Sequence, residues 1–256
     1  MTTADAKAAE FREHLGLGVG PVRDLVQLIA SGTRVDVAIM PMPGGLEAMT
    51  RRTPDSNAII VAVTTSDNPE RQRFSLAHEL GHILFDDFSD DLTTVHSEGP
   101  NETRAHDFAR HFLAPLPGVQ QVFDSMPGAD PEALVSALVQ WFGVSPTPAA
   151  IQLLALGAIT EHEKATMTQS AGRLAVRYGW AAEREALVAD AQRPMPPQGI
   201  VKAATHAYAE GKLSLRVLAR LRGVTNISEL ETELREAGLA PSDADDERPE
   251  MDFEAW

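Results

Sequence analysis

The sequence predicts an α+β fold in which a small, largely antiparallel sheet packs against a mostly helical body. The run RVDVAIM alternates apolar Val35, Val37 and Ile39, which is typical of a strand. The run AIIVAV at residues 58–63 is short and apolar, as in a strand buried on both faces. Elsewhere apolar residues recur every three or four positions, which is the helical spacing.

The elements before the second strand are a helix and a turn. Residues from about Lys7 to Ala30 are expected to be helical, and Pro21 suits a first helical turn. After the first strand, PMPGG breaks the chain and LEAMTRR is expected to return as a hairpin partner.

Two strong helices follow the sheet. DNPERQRFSLAHELGHILF predicts a long helix with Asn68 as its N-cap and Pro69 as its first residue. After the polar loop DDFSDDLTTVHSEGP, NETRAHDFARHFLAP predicts a second helix that Pro115 stops. Its apolar face comprises Ala105, Phe108, Ala109, Phe112 and Leu113. PEALVSALVQWFGVS and AAIQLLALGAI predict further helices.

Composition excludes several classes of site. The chain has no cysteine, which excludes disulfides, thiolate zinc sites and cysteine nucleophiles, so any metal must be held by histidine and carboxylate. The net charge of −15 disfavours broad contact with nucleic acid. No run approaches the ~18 apolar residues of a membrane span, and the N-terminus lacks an apolar signal core, so a cytoplasmic protein is expected.

The stretch RFSLAHELGHILFDD places His78, Glu79 and His82 in an apolar helix. Residues four apart share a face, with about 5–6 Å between Cβ atoms, so both imidazoles can reach one zinc ion. Glu79 is offset by about 100° and is expected to serve as general base on a water rather than as a ligand. The alternative is two core histidines and a solvated glutamate, but burying such groups without partners costs several kcal/mol.

A catalytic zinc needs a third protein ligand, and Glu102 is the best candidate. It lies one turn before Ala105 on the inward face, where a carboxylate is costly unless it meets a cation. Glu98 and His96 are nearer in sequence, but their polar loop favours solvent exposure. His106 is expected to support Glu102 indirectly; oxyanion stabilisation and simple packing are the alternatives. One Zn²⁺ per chain is expected.

Two other features surround this motif. Gly81 costs about 1 kcal/mol relative to alanine inside a helix, which suggests that another element approaches closely there. Asp86, Asp87, Asp90 and Asp91 predict a solvated acidic loop, with indirect support of the metal as a lesser alternative. The reaction expected from such a site is peptide hydrolysis, with an extended substrate lying along a sheet edge beside the motif helix.

The segment RQRFSLAHELGHILF followed by ETRAHDFARHFLAP resembles the ImmA/IrrE family of zinc metallopeptidases. That family pairs R-F-S/T-L-A-H-E-L-G-H with a later E-x-x-A-N-x-F-A-x-x-L/F-L-x-P, and the resemblance covers about residues 10–160. It implies a zincin-like domain with zinc on His78, His82 and Glu102 and with Glu79 as catalytic base. It also implies cleavage of a helix-turn-helix repressor, which would switch on stress-response, mobile-element or phage genes.

The chain departs from the family pattern at two positions near the site. His106 stands where the family has asparagine, and Arg104 stands where a carboxylate is common. Neither is a ligand position, so zinc binding is still expected, with a different geometry around the ligands.

Three domains are predicted: a metallopeptidase domain at 1–160, a helical substrate-binding or regulatory domain at 161–240, and a disordered acidic tail at 241–256. The helical domain contains LSLRVLARLRGVTNISELETELREAGL, a segment that resembles a helix-turn-helix. Its second helix carries four glutamates against the single Arg235, so direct DNA binding is not expected. These glutamates are Glu229, Glu231, Glu233 and Glu236.

Two other functions compete with a repressor-cleaving peptidase. A non-enzymatic regulator would use a structural zinc and bind a repressor or DNA through its C-terminal helices. A peptidase of another role, such as the toxin of a toxin–antitoxin pair, would arrest growth unless a neighbouring gene product rescued it.

Overall fold

The structure, a computed structural model, describes residues 3–52, 58–87 and 99–239. Contacts divide the chain into two units, Met1–Met195 and Pro196–Trp256, and the division falls within the segment RPMPPQG. This division lies later than the domain boundary expected at residue 160, and the domain assignment stays a prediction. The expected disordered tail at 241–256 lies outside the described residues.

The described part of the first unit contains three strands and ten helices, and that of the second unit contains three helices. The first unit comprises α1 (Thr3–His14), α2 (Leu25–Gly32), β1 (Val35–Met40), β2 (Ala48–Arg52), β3 (Ile59–Thr64), α3 (Pro69–Phe85), α4 (Pro100–Leu113), α5 (Leu116–Asp124), α6 (Pro131–Phe142), α7 (Pro146–Ala155), α8 (Glu161–Thr166), α9 (Ala171–Tyr178) and α10 (Ala181–Ala191). The second unit comprises α11 (Gln198–Ala209), α12 (Leu215–Leu221) and α13 (Ile227–Glu236).

The α+β class is confirmed, and the sheet is mixed rather than antiparallel. Its order is β1-β3-β2: β1 runs parallel to β3, and β2 runs antiparallel to it. The hairpin partner of β2 is therefore β3 and not β1. The reason is that the apolar β3 takes the central position, whereas β2 lies at an edge, where the charged side chains of Arg51 and Arg52 reach solvent.

The outer edge of β1 is partly covered by the end of the first unit. Met195 forms an antiparallel bridge with Ile39, and both backbone hydrogen bonds of the bridge are 2.8 Å long. The sheet edge on the opposite side is β2.

The N-terminal region expected to be helical contains two helices, and the second begins at Leu25 rather than near Pro21. The region is interrupted between α1 and α2, because Gly16 and Gly18 adopt positive φ angles of 64° and 56°. Asp24 then caps α2 by accepting a hydrogen bond from the Gln27 N–H at 2.9 Å.

The two helices expected after the sheet are confirmed. Asn68 caps α3 by accepting from the Arg71 N–H at 3.1 Å, and Pro69 is the first helical residue. The five residues of the apolar face of α4 are fully buried. These two helices therefore form the centre of the core of the first unit.

Arg73 anchors α3 to two other parts of the first unit. Its guanidinium donates to the carbonyls of Val22 at 2.5 Å, Arg23 at 3.1 Å and Gly143 at 3.3 Å. Burial lowers the pKa of Arg73 to about 10, so the side chain stays charged at neutral pH. These bonds hold α3 against the chain around residue 22 and the end of α6.

The second unit has its own small core of Tyr208, Leu218, Ala219, Leu230 and Leu234. The four glutamates of α13 are exposed. Among the described residues, no single helix is long and apolar enough to cross a membrane. The helices α6 and α7, which are bent relative to each other, have sufficient length and apolar composition only when they are counted together.

Candidate metal centre

The helix α3 brings His78 and His82 together on one face. Their Nε2 atoms are 3.0 Å apart, and their ring centroids are 4.7 Å apart. Both side chains are buried, with 7% and 5% of their surface exposed. The spacing of four residues therefore produces the convergence that the sequence predicts.

Glu102 reaches the same two rings from α4. Its Oε2 lies 3.1 Å from Nε2 of His78, and its Oε1 lies 3.2 Å from Nε2 of His82. Among the described residues these three side chains form a group able to hold a metal ion. The alternatives Glu98 and His96 lie outside the described residues, and so do Asp90 and Asp91.

The separations in this group fit a zinc ion. Tetrahedral zinc with bonds of about 2.0–2.1 Å keeps its ligand atoms about 3.3–3.4 Å apart. The two Nε2 atoms are 3.0 Å apart, and each lies 3.1 or 3.2 Å from a different carboxylate oxygen of Glu102, which is close to that value. Two imidazoles and one carboxylate are also a known donor set of catalytic zinc, which keeps a fourth position for water or substrate.

Glu79 is almost fully buried, with 2% of its surface exposed, and it is held from the sheet. The hydroxyl of Thr50 on β2 donates to Oε2 of Glu79 at 2.5 Å. Sequence reasoning missed Thr50, although the alternation along β2 puts it on the buried side. The arrangement orients a carboxylate one residue away from the first metal-ligand candidate.

Asp87 lies against His82, so the expectation of a solvated side chain is wrong for this residue. Its Oδ1 accepts from Nδ1 of His82 at 2.7 Å, its Oδ2 accepts from Nη2 of Arg104, and 10% of its side chain is exposed. Asp86, by contrast, has 91% of its side chain exposed. The difference arises because Asp86 has a positive φ of 53°, which turns the chain at the end of α3.

His106 lies beside the site with its ring against other rings. Its centroid is 4.5 Å from that of His78 and 5.6 Å from that of Phe74, and the residue is exposed. The expected indirect support of Glu102 by His106 stays a prediction.

Gly81 lies where α3 and α4 come closest. A Cβ atom there would be 3.1 Å from Cδ1 of Phe108 and 3.3 Å from Cα of Ala105. The expected close approach of another element is confirmed. It allows Glu102 on α4 to reach across to both histidines of α3.

Residues 33–153 match the sequence model of the family described as the IrrE N-terminal-like domain. The chain is also similar to the radiation response metalloprotease IrrE of Deinococcus radiodurans, with 31% identity over 136 residues. That alignment covers 48% of this chain and 40% of the relative, so the chain spans less than half the length of the curated relative that it matches. The four candidate residues on α3 and α4 lie within the matched region.

Proposed function

Because residues 33–153 belong to the ImmA/IrrE family of metallopeptidases, we propose that this protein is a zinc-dependent endopeptidase. The observation that carries the proposal is the convergence of His78, His82 and Glu102, with their ligand atoms 3.0–3.2 Å apart. These residues would hold one Zn²⁺ per chain, and Glu79 would be the catalytic base.

Zinc, when bound, supplies Lewis acidity that polarises the scissile carbonyl and lowers the pKa of water. Glu79 accepts a proton from the attacking water and delivers it to the leaving nitrogen, so that the C–N bond breaks into an acid and an amine. The hydroxyl of Thr50 donates to Oε2 of Glu79 and so restricts the orientation of this carboxylate. The burial of Glu79 limits the competition of bulk water for the carboxylate.

The substrate is an extended peptide segment that pairs with the edge of β2. This edge lies beside the site, because Thr50 in the middle of β2 contacts Glu79. The opposite edge of the sheet is partly covered by Met195. Backbone pairing along β2 would hold a peptide carbonyl near Glu79 with little dependence on the peptide's sequence.

The physiological substrate in this proposal is a helix-turn-helix repressor in the cytoplasm, whose cleavage derepresses stress-response, mobile-element or phage genes. Similarity to a relative named a radiation response metalloprotease supports a role in stress. The acidic, exposed α13 supports contact with a protein partner rather than direct contact with DNA.

The decisive experiment is the substitution Glu79→Gln in a strain that co-expresses a candidate repressor. Cleavage is expected to fall by about 10²–10⁴-fold, because the amide cannot accept the proton, while zinc content stays at one per chain. Zinc content is measured by elemental analysis and cleavage by immunoblotting. Glu161→Gln, at an exposed position on α8, is the control expected to cleave normally.

Three outcomes would contradict the proposal. Undiminished cleavage by Glu79→Gln would refute its role as base. Full derepression by this variant without cleavage would favour the non-enzymatic regulator. Growth arrest that a neighbouring gene product rescues would favour a toxin.

A further inference from the structure

Asp87 forms two hydrogen bonds with His82, one through its backbone N–H and one through its side chain. Its N–H donates to the carbonyl of His82 at 3.1 Å, and its Oδ1 lies 2.7 Å from Nδ1 of the same residue. The chain turns at Asp86, which has a φ of 53°, and this turn at the end of α3 brings Asp87 back toward His82. The helix end is therefore folded so that a carboxylate faces the rear of the His82 ring.

The contact selects one form of the imidazole. A carboxylate oxygen accepts hydrogen bonds, so Nδ1 of His82 carries the hydrogen that lies between them. The other ring nitrogen, Nε2, then presents its lone pair toward His78 and Glu102, which lie 3.0 and 3.2 Å away. This is the tautomer that a metal ion requires at Nε2.

Arg104 holds the second oxygen of the same carboxylate. Its Nη2 donates to Oδ2 of Asp87 and also lies 3.2 Å from Oδ1 of Asn101. Its guanidinium carbon is 4.4 Å from the ring centroid of Phe85. Because each oxygen of Asp87 has its own donor and 10% of the side chain is exposed, the carboxylate is held in one orientation.

We propose that Asp87 is a positioning residue that fixes the ring and tautomer of His82 for zinc, and that Arg104 acts through Asp87. The inference rests on the zinc site of the proposed function. Arg104 and Glu102 thus connect α4 to the end of α3 through two separate contacts, one to Asp87 and one to the histidines.

The first test is the zinc affinity of the full chain, measured by competition with a chromophoric chelator. Asp87→Asn is expected to weaken zinc binding by about 10- to 100-fold. An asparagine has one acceptor oxygen, so it can serve either His82 or Arg104 but not both. Asp86→Asn is the matched control: it removes the same charge one residue earlier, and it is expected to leave the affinity unchanged because the side chain is exposed.

The second test separates action through Asp87 from an independent effect of Arg104. Arg104→Met keeps an unbranched side chain but removes the guanidinium donors, and it is expected to weaken zinc binding less than Asp87→Asn does. In the double variant, the arginine substitution is expected to cause no further loss. Losses that multiply across the two sites would overturn the role assigned to Arg104, and unchanged affinity in Asp87→Asn would overturn the role of Asp87. If Asp87→Asn does not fold, Arg104→Met tests the same link.

A spectroscopic readout tests the hydrogen bond itself. In the cobalt-substituted chain, the Nδ1–H proton of His82 is expected to exchange slowly with water, and Asp87→Asn is expected to accelerate that exchange while Asp86→Asn does not. Equal exchange in all three chains would overturn the inference. None of these measurements uses proteolysis, so a chain that shows the expected affinities yet cleaves no peptide would refute the proposed function alone.

Discussion

Thr50 connects the sheet to the candidate catalytic base. Its hydroxyl is 2.5 Å from Oε2 of Glu79, and both side chains are buried. A carboxylate on a helix can rotate about its own bonds, and a donor fixed on a strand restricts that rotation. The orientation of the Glu79 carboxylate therefore depends on a residue almost thirty positions earlier in the chain.

The variant Thr50→Val tests this dependence at a single side chain. Hydrogen bonds to charged groups contribute about 1.5–3 kcal/mol, so kcat is expected to fall by about 10- to 100-fold with zinc content unchanged. Steady-state cleavage of a repressor-derived peptide provides the measurement. Thr50→Ser keeps the hydroxyl and should retain most of the activity; an equal loss in both variants would indicate packing instead.

The contact between α3 and α4 determines the geometry of the site at the scale of elements. Ala105 and Phe108 are fully buried opposite Gly81, and Glu102 lies on the same helix one turn before Ala105. Because neither the Ala105 backbone nor the enclosed Phe108 ring can move freely, this separation of the helices requires the absence of a side chain at position 81.

Gly81→Ala is expected to destabilise the chain, although alanine favours helices. The added Cβ would lie 3.1 Å from Phe108 and 3.3 Å from the Ala105 backbone, and such overpacking costs about 1–3 kcal/mol against a gain of about 1 kcal/mol in helix propensity. Urea unfolding of the metal-free chain measures the change.

Gly172→Ala on α9 is the matched control for this substitution. The nearest atom to its added Cβ is Nη1 of Arg184 at 3.5 Å, an ordinary contact. Unfolding free energy is expected to rise by up to about 1 kcal/mol. A stabilised Gly81→Ala variant would contradict the close approach of α3 and α4.

A buried polar network connects three helices at the scale of the whole molecule. His111 on α4 is 3.8 Å from Asp5 on α1 and 3.4 Å from Gln152 on α7, and Arg110 donates to Gln152 at 2.6 Å. Burial lowers the pKa of His111, and the positive charge of Arg110 lowers it further, whereas Asp5 and Asp107 raise it. The native state therefore favours neutral His111.

This network predicts a stability that depends on pH. His111 has a lowered pKa when folded and an ordinary value of 6.5 when unfolded, so the unfolded chain binds more protons as the pH falls below 6.5. The contribution of His111 to stability is complete above pH 6.5 and decreases as the pH falls toward its folded pKa.

Unfolding free energies of the metal-free chain between pH 7 and about 5.5 test this prediction. His111→Gln should show a shallower loss of stability than the unmodified chain over that interval. His162→Gln, at an exposed position on α8, serves as the control that keeps the original slope. Identical slopes for all three chains would exclude His111 as a contributor.

The sequence by itself determined the features that depend on spacing within one helix or on its end signals. The period of 3.6 residues places His78 and His82 together, the N-cap at Asn68 sets where α3 begins, and the apolar face of α4 turns Glu102 inward. Such relations are fixed by covalent geometry over a few residues, so they can be predicted without knowing what lies opposite.

Only the tertiary structure decided the partners of those residues. The hydrogen bond from Thr50 to Glu79, the contact of Asp87 with Arg104, and the parallel pairing of β1 with β3 all join segments that spacing alone does not relate. Asp86 and Asp87 are identical neighbours in the sequence, and one is exposed while the other is enclosed. The physical reason is that burial and hydrogen bonding depend on which element lies across the gap, and a local pattern carries no information about that element.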